Sequence, residues 1–498
     1  METLADLIQV VNRKRISKID VLDKTFLNPK SENLYYKLYN AIETKQVRTD
    51  EEAALLLYGT GRYDSRYKAL KSRLKEKVLN TALFLDAENL FNNKIGRIYQ
   101  DCLKQASIVE VIKKLTGTSK LASELAKDNY SIAEKYKFYD ILKKYSYVLM
   151  SYHAFTGNES LFYKYEKIYL SNCRLAEKEI EAKHLYFLAL INFEINKPIT
   201  QSVLNKVELY LQRILAVKNE LNNPEIDFYY FFIALTYYEY INDVETLIQI
   251  CLEANEKMKT NPDVINNTRQ VGILNYNVRA LLFAKKYKEG LKLFEPIYNQ
   301  TIIVPEAFYN WFLLKESEFK LYLHGLNIPE AYHVYEKVLA NKYYNRQVDL
   351  LKERWKIYHA YLVFLDNYLN RGDYKFSLPK FFNSVPLNTR DKSGFNFAIR
   401  IIEILFLAAR KQYNKVFAQV ESLRVYRSRY LNDITYKRNH LFLSLLLKSE
   451  KSGFDAKVLQ KADWPEIREL RARNHYIAEW EIIPYEELWD IFVNLAME

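Results

Sequence analysis

The stretch that decides the fold is NTRQVGILNYNVRALLFAKK (267–286) and YKEGLKLFEPIYN (287–299), followed by EAFYNWFLLKESEFKLYLHG (306–325) and NIPEAYHVYEKVLAN (327–341). It reads as two helical hairpins in succession. In the second helix of each, Gly290 and Phe294 recur as Ala331 and Tyr335, 41 residues later. A small residue lets two helices approach, and the ring four positions on fills the adjoining layer. Asn327 and Glu330 form an N-cap pattern with Pro329 in the first turn.

The same grammar extends in both directions. FYYFFIALTYYEY (228–240) is followed by DVETLIQICLEANEKMK (243–259), and similar pairs run through 130–157, 159–194 and 395–431. Paired helices recurring at roughly 35–45 residues are the signature of stacked repeats. Residues 1–117 read as a separate N-terminal helical module ending near the GTS turn at 117–119. Within it, Leu34, Leu38 and Ile42 form one stripe. Thr49 and Glu52 have capping-box spacing. Tyr67, Leu70, Leu74, Val78, Thr81 and Leu85 make a continuous seam. Repeats occupy 118–370, and 371–396 is an irregular connection or hinge, read as a loop carrying one short helix or as a joint between two superhelical parts. Residues 397–498 hold further repeats and capping helices. In that last part Trp480, Ile483, Leu488, Trp489, Phe492 and Leu495 are expected to cover the apolar end of the stack, the alternative being a detachable docking peptide.

The second-helix patterns YKEGLKLFEPIY and PEAYHVYEKVL resemble the second helix of tetratricopeptide-type repeats. The match covers 265–340; elsewhere from 119 to 450 it is one of architecture. The Trp and the Leu-Gly pair of the family's first helix are missing, and the spacing is longer. The resulting expectation is an all-α chain, a right-handed superhelical stack of antiparallel helical hairpins (an α-solenoid). The resemblance implies a scaffold whose concave face holds a peptide, a helix or a protein surface, with binding positions on the first helices.

Composition agrees with helices. A chain of 498 residues exceeds what one core serves, and 11 Gly with 11 Pro are too few for a large sheet protein with its many turns. The 42 Tyr and 27 Phe suit thin helical layers, where a ring is buried and its hydroxyl lies at the edge. Cys102, Cys173 and Cys251 are far apart, which fits a reducing compartment rather than a disulfide scaffold. The opening METLADLIQVVNRKR lacks a basic-then-apolar signal pattern, and no apolar stretch reaches membrane-spanning length. A cytoplasmic location is the expectation.

Chemistry leaves few marks. The seven histidines form no HExxH, and no GxGxxG, GxxxxGK[ST] or GxSxG occurs. The expectation is therefore a non-enzymatic chain without cofactor or metal. The leading reading is a protein–protein scaffold or regulatory adaptor. The net charge of +12 motivates an alternative, binding of single-stranded or structured nucleic acid through two basic clusters. Arg66, Tyr67, Lys71 and Arg73 stand for the first cluster, and Arg424, Arg427, Tyr430 and Arg438 for the second. In both, cations for phosphates sit beside rings for bases. The same residues also fit ordinary charged helix faces, with Glu421 pairing Arg424.

Overall fold

The computed structural model describes residues 21–22, 33–84, 94–116, 120–195, 199–221, 223–260, 267–299, 304, 309–385, 394–430, 436–461, 463–472 and 475–497. Of residues 83–84, 116, 194–195, 258–260, 267–268 and 427–430 it describes the backbone. Leu85, the turn at 117–119 and positions 386–393 of the 371–396 connection lie outside the described residues. Every regular element among the described residues is a helix. The chain divides into two compact units, Met1–Ala176 and Glu177–Glu498.

In the first unit α1 (Leu34–Glu43), α2 (Asp50–Tyr58) and α3 (Ser65–Phe84) all pack on one another. Both halves of the Thr49–Glu52 capping box are present, and Gly59 closes α2 at φ +65°, a left-handed C-cap that glycine adopts without strain. Leu38, Ala41, Ala53, Ala54, Tyr67, Leu70 and Leu74 form the module's core. The expected stripes are shorter than read: Leu34, Ile42 and Val78 are exposed. Next come α4 (Lys94–Thr116), α5 (Lys120–Lys135) and α6 (Tyr139–Phe155), also mutually packed. The division between units falls within α7 (Glu159–Ile195).

The second unit continues with α8 (Gln201–Leu221), α9 (Pro224–Tyr240), α10 (Val244–Thr260), α11 (Asn267–Phe283), α12 (Tyr287–Lys292), α13 (Glu295–Tyr298), α14 (Tyr309–His324) and α15 (Ile328–Leu339). After these come α16 (Asp349–Asn370), α17 (Leu378–Ser384), α18 (Phe395–Ala409), α19 (Tyr413–Tyr430), α20 (Lys437–Lys451), α21 (Ala456–Lys461), α22 (Pro465–Ala472) and α23 (Tyr485–Met497). Each helix from α8 to α12 packs on the next, as do those from α14 to α20 with α18 seated on α16. The short α17 lies in the described part of the connection, with Leu378 and Phe381 buried in the core and Arg410 holding the carbonyls of Tyr374 and Phe376 at 2.6 Å.

Two features recur along the helices of the second unit. The first is the turn inside each hairpin. Asn242, Lys285, Leu326, Arg371 and Lys411 each adopt a positive φ, between +51° and +59°. The residue after each donates its backbone N–H five residues back: Asp243 to Tyr238, Lys286 to Leu281, Asn327 to Tyr322, Gly372 to Asn367 and Gln412 to Leu407. This is the Schellman closure, here made mostly without glycine. The second feature is a polar link from each first helix to the next. Glu239 meets Arg279 40 residues on, Asn275 meets Ser317 at 42, and Glu316 meets Tyr358 at 42. Asn327 sits at the N-cap of α15, but its side chain makes no cap bond.

Gly290 explains why a small residue recurs in the second helices. A Cβ there would lie 2.8 Å from Leu321 Cδ2 on α14, so α12 could not approach as closely with a larger residue. Phe294 and Leu321 close a small core over this contact. A larger core runs from α14 to α23 and takes in Trp355, Tyr358, Tyr361, Phe406 and Phe442. Of the six apolar residues expected to form a cap, Ile483, Leu488, Trp489, Phe492 and Leu495 are buried in it, and Trp480 packs against it half-buried.

Candidate binding surface

The first helices of the hairpins, α9, α11, α14, α16, α18 and α20, carry polar and aromatic groups that link one to the next or hold the C-terminal segment. Their side chains divide into a part covered by the chain's own C-terminal segment and a part left open.

The covered part begins where Tyr476 stacks on Tyr240 of α9, with centroids 4.6 Å apart. From there residues 475–484 run without regular structure to α23. On α14, Lys320 Nζ donates to the Glu479 carbonyl at 3.0 Å, and a ring N–H of His324 donates to the Ile482 carbonyl at 2.7 Å. Burial pushes the His324 imidazole down to about 4, so it stays neutral at physiological pH. On α16, Arg354 pairs with the Glu479 carboxylate at 3.2 Å. On α20, Arg438 holds Glu481 at 2.7 Å and Glu486 at 2.6 Å. Tyr485 stacks on Phe442 and meets Phe397 edge-on. Lys285, in the α11–α12 turn, pairs with Glu487 at 2.7 Å. The segment is thus held by backbone-carbonyl capture, carboxylate pairing and ring contacts on successive first helices.

The open part lies on α9, α11 and the Glu177–Ile195 portion of α7. Tyr186 stacks on Tyr229 at 4.8 Å and meets Phe232 edge-on at 5.0 Å. Arg269 grips Glu225 with two bonds of 2.6 and 2.7 Å, and its guanidinium lies 4.1 Å from the Phe228 ring. Burial alone would raise the Glu225 pKa, but the paired Arg269 overrides it and holds the carboxyl below its ordinary value. Glu239 goes the other way: burial outweighs the Arg279 guanidinium and leaves its pKa raised. Arg279 also lies 4.5 Å from the Tyr276 ring. Beside this tier, Ile180, Phe187 and Ile191 of α7 are more than half exposed, at 65%, 51% and 51%.

The residues expected from sequence to bind partners fall in three settings. Arg66, Lys71 and Arg73 are exposed on α3. Arg66 pairs with Asp64 at 2.8 Å, and Lys71 with Asp50 at 2.6 Å. Tyr67 is 3% exposed and its hydroxyl donates to Asp50, so its ring is core and not a stacking platform. Arg424 is exposed on α19 and pairs with Glu421 at 2.6 Å. The side chains of Arg427 and Tyr430 lie outside the described residues. Arg438 is 1% exposed, which removes it from any surface and corrects its place in a basic cluster. Sequence reading missed Glu225–Arg269 and Glu239–Arg279, although acid and base recur one repeat apart.

Among the described residues no three His, Cys, Asp or Glu side chains gather as a metal site, and no helix is long and apolar enough to cross a membrane. No family model matches the chain, and neither a curated protein nor a solved structure matches it.

Proposed function

We propose that this chain is a cytoplasmic, non-enzymatic adaptor, a tetratricopeptide-like α-solenoid whose first-helix face holds an extended segment of a partner protein. The recurring hairpin turns and the polar links between first helices support a stack of hairpins of the kind the sequence suggests. The observation that carries the binding reading is the C-terminal segment itself. A run of irregular, acidic and apolar chain lies across α9, α14, α16 and α20, its carbonyls and carboxylates taken by Lys320, His324, Arg354 and Arg438. A face that holds one such segment has the chemistry to hold another. The partner's place is the open tier of Tyr186, Phe228, Phe232 and Arg269, with the exposed flank of α7 beside it. Rigid rings flanked by paired charges are the composition of interface anchors.

Site-specific photo-crosslinking in nuclease-treated lysate tests this. A benzophenone side chain replaces Phe187 or Phe232 on the open tier, or Leu252 on the second helix α10. One protein crosslinked from both tier positions and not from position 252, and lost from Phe187→Asp, supports the adaptor. Equal capture from position 252, or none from the tier, refutes it.

A further inference from the structure

The basic helix α3 has a geometry that its sequence alone does not display. Tyr67, Leu70 and Leu74 face the core of the N-terminal module. At 100° per residue, Ser65, Ala69, Ser72 and Glu76 line the opposite side, and all four are exposed. Lys68, Lys71 and Lys75 form a row on one flank of this strip; Arg66, Arg73 and Lys77 form a row on the other. Each row lies roughly 90° around the axis from the strip. The outward face of α3 is therefore narrow and built mainly of small side chains, with cations along both edges.

The flanking side chains are braced. The Arg66 guanidinium lies 5.0 Å from the Tyr58 ring, Lys68 5.2 Å from Tyr63, and Lys77 5.4 Å from Tyr35. Asp50 neutralises Lys71 in an exposed ion pair, and Asp64, its carboxylate mostly covered, takes the Arg66 guanidinium through two bonds. A single exposed pair such as Lys71–Asp50 contributes little, so a phosphate can replace that carboxylate at small cost, whereas Arg66 keeps its two bonds to Asp64.

We propose that α3 seats in the major groove of duplex DNA, with the Ser65–Ala69–Ser72 strip toward the base edges and the two basic rows against the opposing phosphate backbones. A B-form major groove, about 12 Å wide, admits one helix. A helix seated there needs a slim leading face and positive flanks, which is the arrangement here. The A-form groove of duplex RNA is too deep and narrow for a helix. A membrane surface would select an apolar leading face. Glu76, in the strip, and the pairing acids Asp50 and Asp64 are among the opposing charges. Glu76 limits the footprint to the first three turns of the helix, within which Asp64 and Asp50 compete with phosphate for Arg66 and Lys71.

The test uses the full chain and a fluorescent 20-base-pair duplex DNA of arbitrary sequence, followed by anisotropy from 50 to 200 mM KCl. The expected result is binding whose log affinity falls with log salt at a slope of about −3 to −5, four to five phosphates being neutralised. Lys68→Glu with Lys75→Glu is expected to weaken binding more than tenfold. Lys457→Glu with Lys461→Glu, on α21, is expected to leave it unchanged. Ala69→Trp keeps every charge and blocks the leading face, and it too is expected to cost at least tenfold. All four substituted positions in the two double variants and Ala69 are exposed, so melting temperature checks that folding is retained. Absence of binding at 50 mM salt overturns the proposal. So does wild-type affinity in the α3 charge variant, or equal affinity for duplex RNA. Wild-type binding by Ala69→Trp overturns groove seating, because a merely cationic surface would tolerate the ring.

Discussion

Replacing Arg438 with Met tests the internal anchoring of the C-terminal segment. The guanidinium is 1% exposed and donates to Glu481, Glu486 and the Leu470 carbonyl. Glu481 and Glu486 are themselves 4% and 4% exposed; Glu481 relies on this cation for its burial, and Glu486 shares it with Lys285 at 3.8 Å. Removing one partner from a buried ion cluster costs about 3–5 kcal/mol, because the charges left behind lose their compensation. For a unit as large as Glu177–Glu498, a kcal/mol moves the melting temperature by about 2 °C, so the loss is about 6–10 °C. The pH dependence follows from Glu481. Burial raises its pKa, and Arg438 partly offsets that rise. Without Arg438 the folded-state pKa climbs further above the unfolded value. The folded state then binds more protons than the unfolded one, so stability falls as pH rises through that interval. Calorimetry is expected to show a larger loss at pH 8 than at pH 5. Adding Glu481→Met and Glu486→Gln to Arg438→Met is expected to recover at least half of the loss, since replacing a whole buried cluster is milder than breaking it. A loss below about 1 kcal/mol at pH 8, or one equal at both pH values, would refute the buried triad.

Further outcomes follow from single contacts. Gly290→Ala is expected to destabilise by about 1 kcal/mol in urea unfolding, overpacking against Leu321 exceeding the gain in helix propensity, with Leu321→Val relieving most of it. Thr49→Ala removes one half of the capping box and should cost about 1 kcal/mol in the unfolding of the N-terminal module. Cys251 is fully buried with its thiol pushed up to about 12, and Cys102 is buried too. Titration with a thiol-specific disulfide reagent is therefore expected to count one fast cysteine, Cys173, in the native chain and three after denaturation.

What was legible in the sequence was local or periodic. The capping box at Thr49 and Glu52 spans four residues, and the chain needs nothing distant to form it. Gly290 and Ala331 were found because a repeat presents the same packing problem twice; the structure supplies the obstacle, Leu321, at Gly290. The turns were less visible, because Lys285, Leu326 and Lys411 adopt a positive φ that normally advertises itself as glycine or asparagine. Arg438 was misplaced for a different reason. With Lys437 before it, it reads as part of a solvated basic run, while the acids it pairs with are 43 and 48 residues away. Tyr67 beside Arg66 read as a stacking ring, but helical geometry turns adjacent residues 100° apart, one into the core and one out of it. Sequence adjacency is a poor guide to a binding cluster on a helix, and position around the axis is a better one.

The same distinction decides how the C-terminal segment bears on binding. A detachable tail would meet its groove through exposed pairs that water can replace. Glu479 with Arg354 is such a pair, the glutamate being half exposed. Glu481 and Glu486 are not, because lifting them away strands Arg438 in the interior of α20. Ile482, Ile483 and Trp489 would leave the core in the same motion. Each term opposes release, and the buried cation alone opposes it by several kcal/mol. A partner that had to displace the whole segment would therefore bind weakly unless it replaced both acids. The open tier beyond Tyr476 carries no such penalty, since Arg269 and Arg279 already have Glu225 and Glu239. This difference in cost, rather than the mere presence of a groove, is the reason the proposed partner is sought on α7, α9 and α11 and not in place of the tail.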